Sequence, residues 1–204
     1  MVIKVGVLEL QGDYALHHQI FKIMNIESIP VKKRTDLNDI NGLVLPGGES
    51  TTISLLIDSF DLHDPIIEFG RSNPVMGTCA GLIMMAKFVN DKRINPLGLV
   101  DIEVERNAYG RQIDSKTEMI NFNFTENHEF LLPTTLIRAP KIKNINRTMK
   151  VIGKYGGMPI AVLSGHHLCL SFHPELDNID IFHKVLFDEK SEVYYKKINQ
   201  YHEA

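Results

Sequence analysis

Cys79 lies in the segment Gly77-Thr78-Cys79-Ala80-Gly81, between a short apolar run and an apolar segment with helical period. This pattern is typical of a nucleophile elbow, a sharp strand-to-helix turn that presents one side chain at the end of a sheet. The two glycines leave room for so tight a turn. A thiol there faces the first N–H groups of the helix, which favour the thiolate and can hold an oxyanion. Small residues also mark ordinary turns, so the hypothesis needs a base, an orienting group and a second oxyanion donor elsewhere.

A base and an orienting group are available in His173-Pro174-Glu175, which follows the apolar run 168–172. In an extended chain, residues two apart point to the same face, so His173 and Glu175 can project together. Pro174 restricts its own φ and biases His173 toward extended geometry. A carboxylate beside an imidazole selects its tautomer and stabilises the imidazolium. Alone, the segment is more typical of an exposed strand end; beside an elbow cysteine it predicts a Cys-His-Glu triad.

The second oxyanion donor is expected at Gly47-Gly48, which follows another buried run. Glycines let backbone amides approach a ligand without an intervening side chain. A plain turn would use the same residues, and a phosphate site is disfavoured because no Gly-Lys-Ser/Thr follows. With Cys79 present, the pair predicts an oxyanion hole in which one amide comes from Gly48 or its neighbour and another from Ala80.

Arg106 and Arg138 each end an apolar strand candidate. A guanidinium binds a carboxylate through two parallel hydrogen bonds, as a substrate with an α-carboxylate would require. Single arginines more often form surface ion pairs, and both interpretations stay open at this point.

The other histidines and the second cysteine have simpler interpretations. Cys169 lies inside an apolar run and is predicted to be a small core residue. No pair of histidines has a convincing zinc-site spacing to Cys, Asp or Glu, so no metal is expected. The remaining histidines lie on a predicted helix, in loops or near the C-terminus: His17, His18, His63, His128, His166, His167, His183 and His202.

The elements that must position these groups alternate between strands and helices. Strands are predicted at 3–10, 27–31 and 43–45, and helices at 14–24, 52–59 and 65–71, with Asp13 placed to cap the first helix. Short loops between them indicate an α/β fold, a three-layer sandwich with a mostly parallel central sheet. The second half contributes short strands near 99–106, 122–124, 136–139, 149–155, 159–163 and 168–172, and a closing helix at 179–187.

Composition limits the function classes. The 204 residues suit one α/β domain spanning 1–204. A net charge of −3 without long charged runs gives little support for a nucleic-acid surface. No signal peptide or membrane span is recognisable. Two cysteines without a secretion signal suggest a reducing compartment, so a cytoplasmic protein is expected.

Taken together, the segments resemble the class I, triad-type glutamine amidotransferases, and within them the glutaminase subunits of pyridoxal 5′-phosphate synthase. The resemblance spans nearly the whole chain in the expected order. The matching segments are Gly6-Val7-Leu8, Leu10-Gln11-Gly12, Leu45-Pro46-Gly47-Gly48-Glu49-Ser50-Thr51, Gly77-Thr78-Cys79-Ala80-Gly81, Arg106-Asn107-Ala108-Tyr109-Gly110-Arg111-Gln112, Ile137-Arg138-Ala139-Pro140 and Phe172-His173-Pro174-Glu175-Leu176.

The resemblance implies a flavodoxin-like fold and a glutaminase that needs no cofactor. Its ammonia would pass to a synthase (lyase) subunit in a hetero-oligomeric complex, which makes pyridoxal 5′-phosphate from ribose 5-phosphate and glyceraldehyde 3-phosphate. Cys79 would be the nucleophile, His173 the base and Glu175 its orienting group. Gln11 falls where the family contacts the synthase and influences the oxyanion loop. The glutamine-binding positions would be Gly47, Gly48, Glu49, Arg106, Ile137 and Arg138.

Three positions depart from the family pattern. Glu9 replaces a small residue, Lys116 replaces an aromatic residue after Ser115, and Leu176-Asp177 lacks the usual Thr or Ser. The first two concern the expected contact with the synthase rather than the triad. Two rival functions also fit the sequence: another hydrolase on the same scaffold, such as a γ-glutamyl hydrolase or peptidase, and a non-catalytic scaffold that only binds the synthase.

Overall fold

The computed structural model of the protein describes residues 3–106 and 115–200. The segment 107–112 of the Arg-Asn-Ala-Tyr-Gly-Arg-Gln motif therefore lies outside the described residues. The strands are β1 (Lys4–Leu8), β2 (Glu27–Val31), β3 (Gly42–Leu45), β4 (Val75–Thr78), β5 (Ala86–Val89), β6 (Val100–Glu105), β7 (Lys116–Thr125), β8 (His128–Leu136), β9 (Lys141–Lys143), β10 (Lys150–Tyr155), β11 (Met158–Ser164) and β12 (His167–Leu170). The helices are α1 (Tyr14–Ile23), α2 (Ser50–Ser59), α3 (His63–Gly70), α4 (Ala80–Met85), α5 (Ile181–Phe187) and α6 (Tyr195–Gln200), with a 3₁₀ helix at Arg34–Asp39.

A nine-stranded sheet forms the centre of the fold, in the order β2-β1-β3-β4-β12-β11-β10-β7-β8. The five strands from β2 to β12 are parallel, and the following four are antiparallel. In the parallel half, β3, β4 and β12 are buried along their whole length, as expected of strands covered on both faces. The predicted α/β fold is confirmed, with its antiparallel extension supplied by the second half of the chain.

Two apolar layers cover the two faces of this sheet. On one face Val44, Met76 and Leu170 pack with Phe21 of α1 and Phe182 of α5. On the other face the alternate strand residues pack with α2, α3 and α4; this group includes Leu43, Leu45, Val75, Cys169, Ile53, Ile66 and Leu82. Because side chains alternate along a strand, helices pack on both faces of the sheet. Helices, sheet and helices are the three predicted layers. Cys169 is fully buried, which confirms its predicted place in the core.

A small second sheet of β5, β6 and β9 follows α4. Strand β6 alternates between buried Val100, Ile102 and Val104 and more exposed residues, as its sequence predicts. No helix in the described part of the chain is long and apolar enough to cross a membrane.

One predicted strand is wrong at its end. The segment 136–139 was expected to be extended, but β8 ends at Leu136 and Arg138 has a φ of 46°. The left-handed conformation at Arg138 turns the chain out of the sheet, so Ile137 and Arg138 form a bend instead of continuing the ladder.

Candidate active site

The elbow at Cys79 joins β4 to α4 by a strained backbone. Cys79 has φ 46° and ψ −98°, a conformation that L residues rarely adopt and that clusters at functional sites. The flanking glycines are required because the turn is tight and because a β-carbon at either position would collide with neighbouring atoms. A β-carbon at Gly81 would lie 1.9 Å from the carbonyl oxygen of Leu45, and one at Gly77 would lie 2.6 Å from the sulfur of Met85. The side chain of Cys79 therefore stands at the carboxyl end of β4, where α/β sheets bind ligands.

The base and its carboxylate lie just beyond β12, the strand beside β4. His173 Nδ1 is 2.7 Å from Oε1 of Glu175, and both residues are buried. This bond leaves Nε2 of the ring for the Cys79 thiol. The thiol donates to the carbonyl oxygen of Ile137, at a separation of 3.8 Å between Sγ and the oxygen. The neighbouring parallel strands β4 and β12 thus bring the Cys79 thiol to the His173–Glu175 pair, although 94 or more positions separate them in the sequence.

Burial alone would lower the pKa of His173, because desolvation penalises the imidazolium. The hydrogen bonds and charge interactions with Cys79 and Glu175 act in the opposite direction and prevail, so the pKa of His173 is raised above its ordinary value. The buried site therefore favours a protonated imidazole next to the sulfur, the state that can donate a proton to a leaving group.

The loop after β3 is held by the loop after β1. The N–H of Asp13 donates to the carbonyl oxygen of Gly47 (3.0 Å), and Oε1 of Gln11 accepts from the N–H of Glu49 (2.8 Å). Gly12 has a φ of +105°, and a β-carbon there would lie 1.8 Å from the Gly47 oxygen. Because Gln11 occupies the Glu49 amide, that amide is not available to an oxyanion, whereas Ala80 begins a helix and its N–H has no intrahelical partner.

Glu49 and Arg106 form a charged pair beside this loop. The Glu49 carboxylate caps α2 by accepting from the N–H groups of Thr51 (3.2 Å) and Thr52 (2.6 Å). Its partial burial would raise its pKa, but the hydrogen bonds from the two threonines prevail and lower the pKa to about 2. Nη2 of Arg106 lies 3.3 Å from Glu49 Oε1, while Nη1 binds the carboxylate of Asp91. An anionic and a cationic group thus stand side by side with fixed orientations.

A cavity of about 490 Å³ opens in front of Cys79. This volume is within the range of small-molecule sites. Of the residues predicted for the site, it is lined by Gly48, Glu49, Cys79, Ala80, Arg106, Ile137, Arg138 and His173. The other three lie directly behind the lining. Gly47 packs against the His173 ring, Gln11 binds the Glu49 amide, and Glu175 binds His173 Nδ1.

Several neighbours of the site were not predicted. Asp13 was expected to cap α1, but its side chain makes no capping hydrogen bond, and its Oδ2 lies 3.6 Å from His173 Nδ1. Ser50, Ile83 and Ser115 also line the cavity. Asp91 was missed because it lies in a polar loop whose sequence has no distinguishing pattern.

Two buried histidines were also missed. His17 and His183 were interpreted as unremarkable helix and C-terminal residues, but both are fully buried, and His17 lies behind Glu175. A signal was present in the sequence: His17 shares the apolar face of α1 with Ile20 and Phe21, at helical spacings of three and four.

Asp13, His173 and Glu175 hold potential metal-ligand atoms within 4.8 Å of one another. Coordination through His173 Nδ1 would compete directly with its hydrogen bond to Glu175. The arrangement of these three side chains is explained by carboxylates that orient the His173 ring.

Comparison with known proteins gives a consistent result. Residues 7–192 match the model of the SNO glutamine amidotransferase family. The chain is 48% identical to the pyridoxal 5′-phosphate synthase subunit PdxT of Solibacter usitatus, over 85% of this chain and 92% of that protein. It is 43% identical to PdxT of Desulforamulus reducens, with the same two coverages.

Solved structures agree at the level of the fold. A glutamine amidotransferase crystal structure superposes with a TM-score of 0.82 at 33% identity, covering 96% of this chain and 98% of that chain. The structure of PurLQS from Thermotoga maritima has a TM-score of 0.67 at 16% identity, which indicates a shared fold alone. On the sequence match and on the arrangement of its site, the chain belongs to the SNO glutamine amidotransferase family.

Proposed function

We propose that this chain is the glutaminase subunit of a pyridoxal 5′-phosphate synthase. It hydrolyses L-glutamine to L-glutamate and ammonia and delivers the ammonia to a synthase subunit for vitamin B6 biosynthesis. One observation carries the chemistry: the Cys79 thiol and a His173–Glu175 pair joined at 2.7 Å meet at one buried end of the parallel sheet.

In the first half-reaction, Nε2 of His173 takes the thiol proton of Cys79, and the resulting thiolate attacks the side-chain carboxamide carbon of glutamine. The new S–C bond moves an electron pair onto the carboxamide oxygen, and the amides of Gly48 and Ala80 hold that oxyanion. When the intermediate collapses, the C–N bond breaks and the imidazolium of His173 gives its proton to the departing nitrogen. Ammonia leaves, and a γ-glutamyl thioester remains on Cys79.

In the second half-reaction, neutral His173 takes a proton from water as the water oxygen attacks the thioester carbon. The S–C bond breaks, glutamate leaves, and the thiolate and imidazolium are restored. Glu175 stabilises the imidazolium in both halves through the Nδ1 hydrogen bond, which also fixes the tautomer with Nε2 facing the sulfur.

Recognition of glutamine follows from the charges around the cavity. Free glutamine carries an α-ammonium and an α-carboxylate. Glu49 offers an oriented carboxylate for the ammonium, while Arg106 and Arg138 offer guanidinium groups for the carboxylate. Gly47 and Ile137 shape the wall near His173 and Cys79. A glutamine residue within a peptide lacks the free α-ammonium and α-carboxylate. These charged contacts therefore distinguish free glutamine from a peptide-bonded residue.

The dependence of glutaminase activity on the synthase follows from the loop after β3, which Gln11 holds. A free glutaminase would waste glutamine, and an oxyanion loop that is completed on docking prevents that loss. We propose that Gln11 transmits docking to this loop, since its side chain already bonds the Glu49 amide. Low activity of the isolated chain and strong stimulation in the complex are expected.

Two further points belong to the proposal. The chain acts as a single domain over residues 1–204, and it works in the cytoplasm. Both cysteines are free thiols, as a reducing compartment favours.

The decisive experiment measures ammonia and glutamate release from glutamine, with and without the cognate synthase. Wild-type complex is expected to release both products in equal amounts. Cys79→Ala should abolish release while still binding the synthase, and Glu175→Gln should lower kcat by a smaller factor, since orientation contributes less than the nucleophile. Full activity of Cys79→Ala would overturn the assignment.

Two further measurements separate the rival functions. A γ-glutamyl hydrolase or peptidase would cleave γ-glutamyl peptides faster than free glutamine, with no dependence on the synthase. A non-catalytic scaffold would form no covalent adduct with a glutamine-mimicking electrophile.

A further inference from the structure

His17 lies on the side of Glu175 that faces away from His173. Its imidazole is fully buried, and Nε2 lies 3.7 Å from Oε2 of Glu175 and 3.4 Å from the hydroxyl of Thr78. Its other nitrogen, Nδ1, lies 2.9 Å from Nε2 of the buried His183. Glu175 thus stands between two imidazoles, one on each carboxylate oxygen.

The second oxygen of Glu175 needs a donor. Oε1 is occupied by His173, but within the described residues Oε2 is buried without a hydrogen-bond partner. Leaving a buried charged oxygen unpaired costs more than an ordinary lost hydrogen bond. His17 Nε2 is positioned to meet this need: it lies 3.7 Å from Oε2, compared with about 3 Å for a usual hydrogen bond.

The protonation state of His17 follows from the same contacts. Desolvation lowers the pKa of His17 to about 3, against an opposing attraction from Glu175, and burial also lowers the pKa of His183 to about 3. Both rings are therefore neutral near pH 7, and each carries one N–H. If the hydrogen on Nε2 of His17 faces the charge on Glu175, Nδ1 of His17 accepts and His183 donates from its Nε2.

We propose that His17 is a positioning residue of the triad: its neutral N–H holds Glu175 from behind, and His183 fixes the His17 tautomer. This inference rests on the proposed glutaminase function for its kinetic consequences. A neutral donor suits the role, because a second imidazolium next to Glu175 would compete with His173 for the carboxylate's charge. Thr78, directly before Cys79, brings the elbow into the same buried group.

The test compares three substitutions in the complex with the cognate synthase. His17→Gln retains an N–H near the position of Nε2, His17→Asn retains only a group near Nδ1, and His17→Leu retains neither. The kcat for ammonia release is expected to fall on the order of 10- to 100-fold in the Asn and Leu variants, by analogy with the loss of a hydrogen-bonding partner behind a metal-ligating histidine. His17→Gln should recover kcat to within a few-fold, with KM nearly constant throughout.

His18→Gln is the matched control. His18 is the neighbouring residue on α1 and also faces a glutamate, with Nε2 3.0 Å from Glu9 Oε1, but it contacts no residue of the triad. Its substitution should leave kcat unchanged.

A second readout works even if the chain proves not to be a glutaminase. The ring signals of His173, followed by NMR across pH in the isolated chain, report how firmly Glu175 is held. The apparent pKa of His173 should fall in His17→Leu and His17→Asn and stay near wild type in His17→Gln. If all three variants lose kcat in proportion to thermal stability, with the His173 titration unchanged, His17 only packs the core and the proposal fails. An inactive wild-type complex would instead refute the proposed function, while the titration would still decide the role of His17.

Discussion

The imidazole of His173 packs directly on the α-carbon of Gly47, so that a β-carbon at position 47 would lie 2.2 Å from Cε1 of the ring. The loop that is expected to form the oxyanion hole and the expected base are therefore in contact before any substrate binds. A change in one must displace the other.

Gly47→Ala is expected to abolish most glutaminase activity of the complex, because the ring must rotate or the loop must retreat to accept the methyl group. A loss of 100-fold or more in kcat is expected, as for about 1 Å of misplacement in a catalytic site. Gly98→Ala is the control: it places a methyl group in open space on a strained backbone at φ +64°, so it should lower stability without lowering kcat. Wild-type kcat in Gly47→Ala would show that this contact is unimportant.

Gln11→Leu removes the acceptor that binds the Glu49 N–H at 2.8 Å and leaves that amide free to turn. The stimulation of ammonia release by the synthase is expected to fall at least tenfold, because the loop is no longer coupled to the β1 loop. Gln19→Leu, at an exposed position on α1, should retain full stimulation. The measurement is kcat at saturating synthase, with binding affinity determined separately. Equal stimulation in both variants would contradict a role for Gln11 in activation.

Asp91→Asn weakens the support of Arg106. Asp91 binds Nη1 of Arg106 and also binds Arg93, whose exposed guanidinium makes contacts of 2.9 and 2.6 Å with the carboxylate. The expected result is a KM for glutamine raised by about 5- to 30-fold with a smaller change in kcat, since the loss affects substrate binding more than the reacting atoms. Arg93→Ala should raise KM less, because it leaves the Arg106 contact in place. A change confined to kcat would place Arg106 outside glutamine recognition.

Acid should destabilise the protein through its buried histidines. Burial lowers the pKa of His167 to about 3, as it does for His17 and His183. Between pH 6.5 and 3 the unfolded chain binds protons that the folded chain refuses, so stability falls as pH decreases. His173 does not contribute to this window, because its raised pKa leaves it protonated in both states there.

His167→Leu isolates one of these histidines away from the triad. Below pH 6.5, the slope of unfolding free energy against pH should decrease by up to about 1.4 kcal/mol per pH unit relative to wild type, the value for one proton. Urea unfolding at several pH values from 7 to 5 measures it. Parallel curves for the two proteins would mean that His167 titrates normally.

Much of the fold followed from local pattern. The alternation of buried runs with amphipathic segments predicted β1 to β4 and α1 to α3 closely, because strands buried on both faces and helices buried on one leave strong signals. The bend at Arg138 was not predictable, since its left-handed φ occurs at an arginine, with no glycine or asparagine to signal it. Likewise, Asp13 has the residue type and place of a helix cap, but its carboxylate makes no capping hydrogen bond and lies 3.6 Å from Nδ1 of His173.

The sequence by itself determined the residue types and the local turns of the site: the glycines around Cys79, the stiff His173-Pro174-Glu175 segment and the Gly47-Gly48 pair. These depend on neighbours in the chain, so a local pattern suffices. Tertiary structure alone decided that β4 and β12 are adjacent, which sets the sulfur beside the imidazole, and that His17 from α1 lies behind Glu175. Such contacts join residues separated by scores of positions, and their energies depend on burial and on which hydrogen-bond partners remain, quantities that exist only once the sheet has formed.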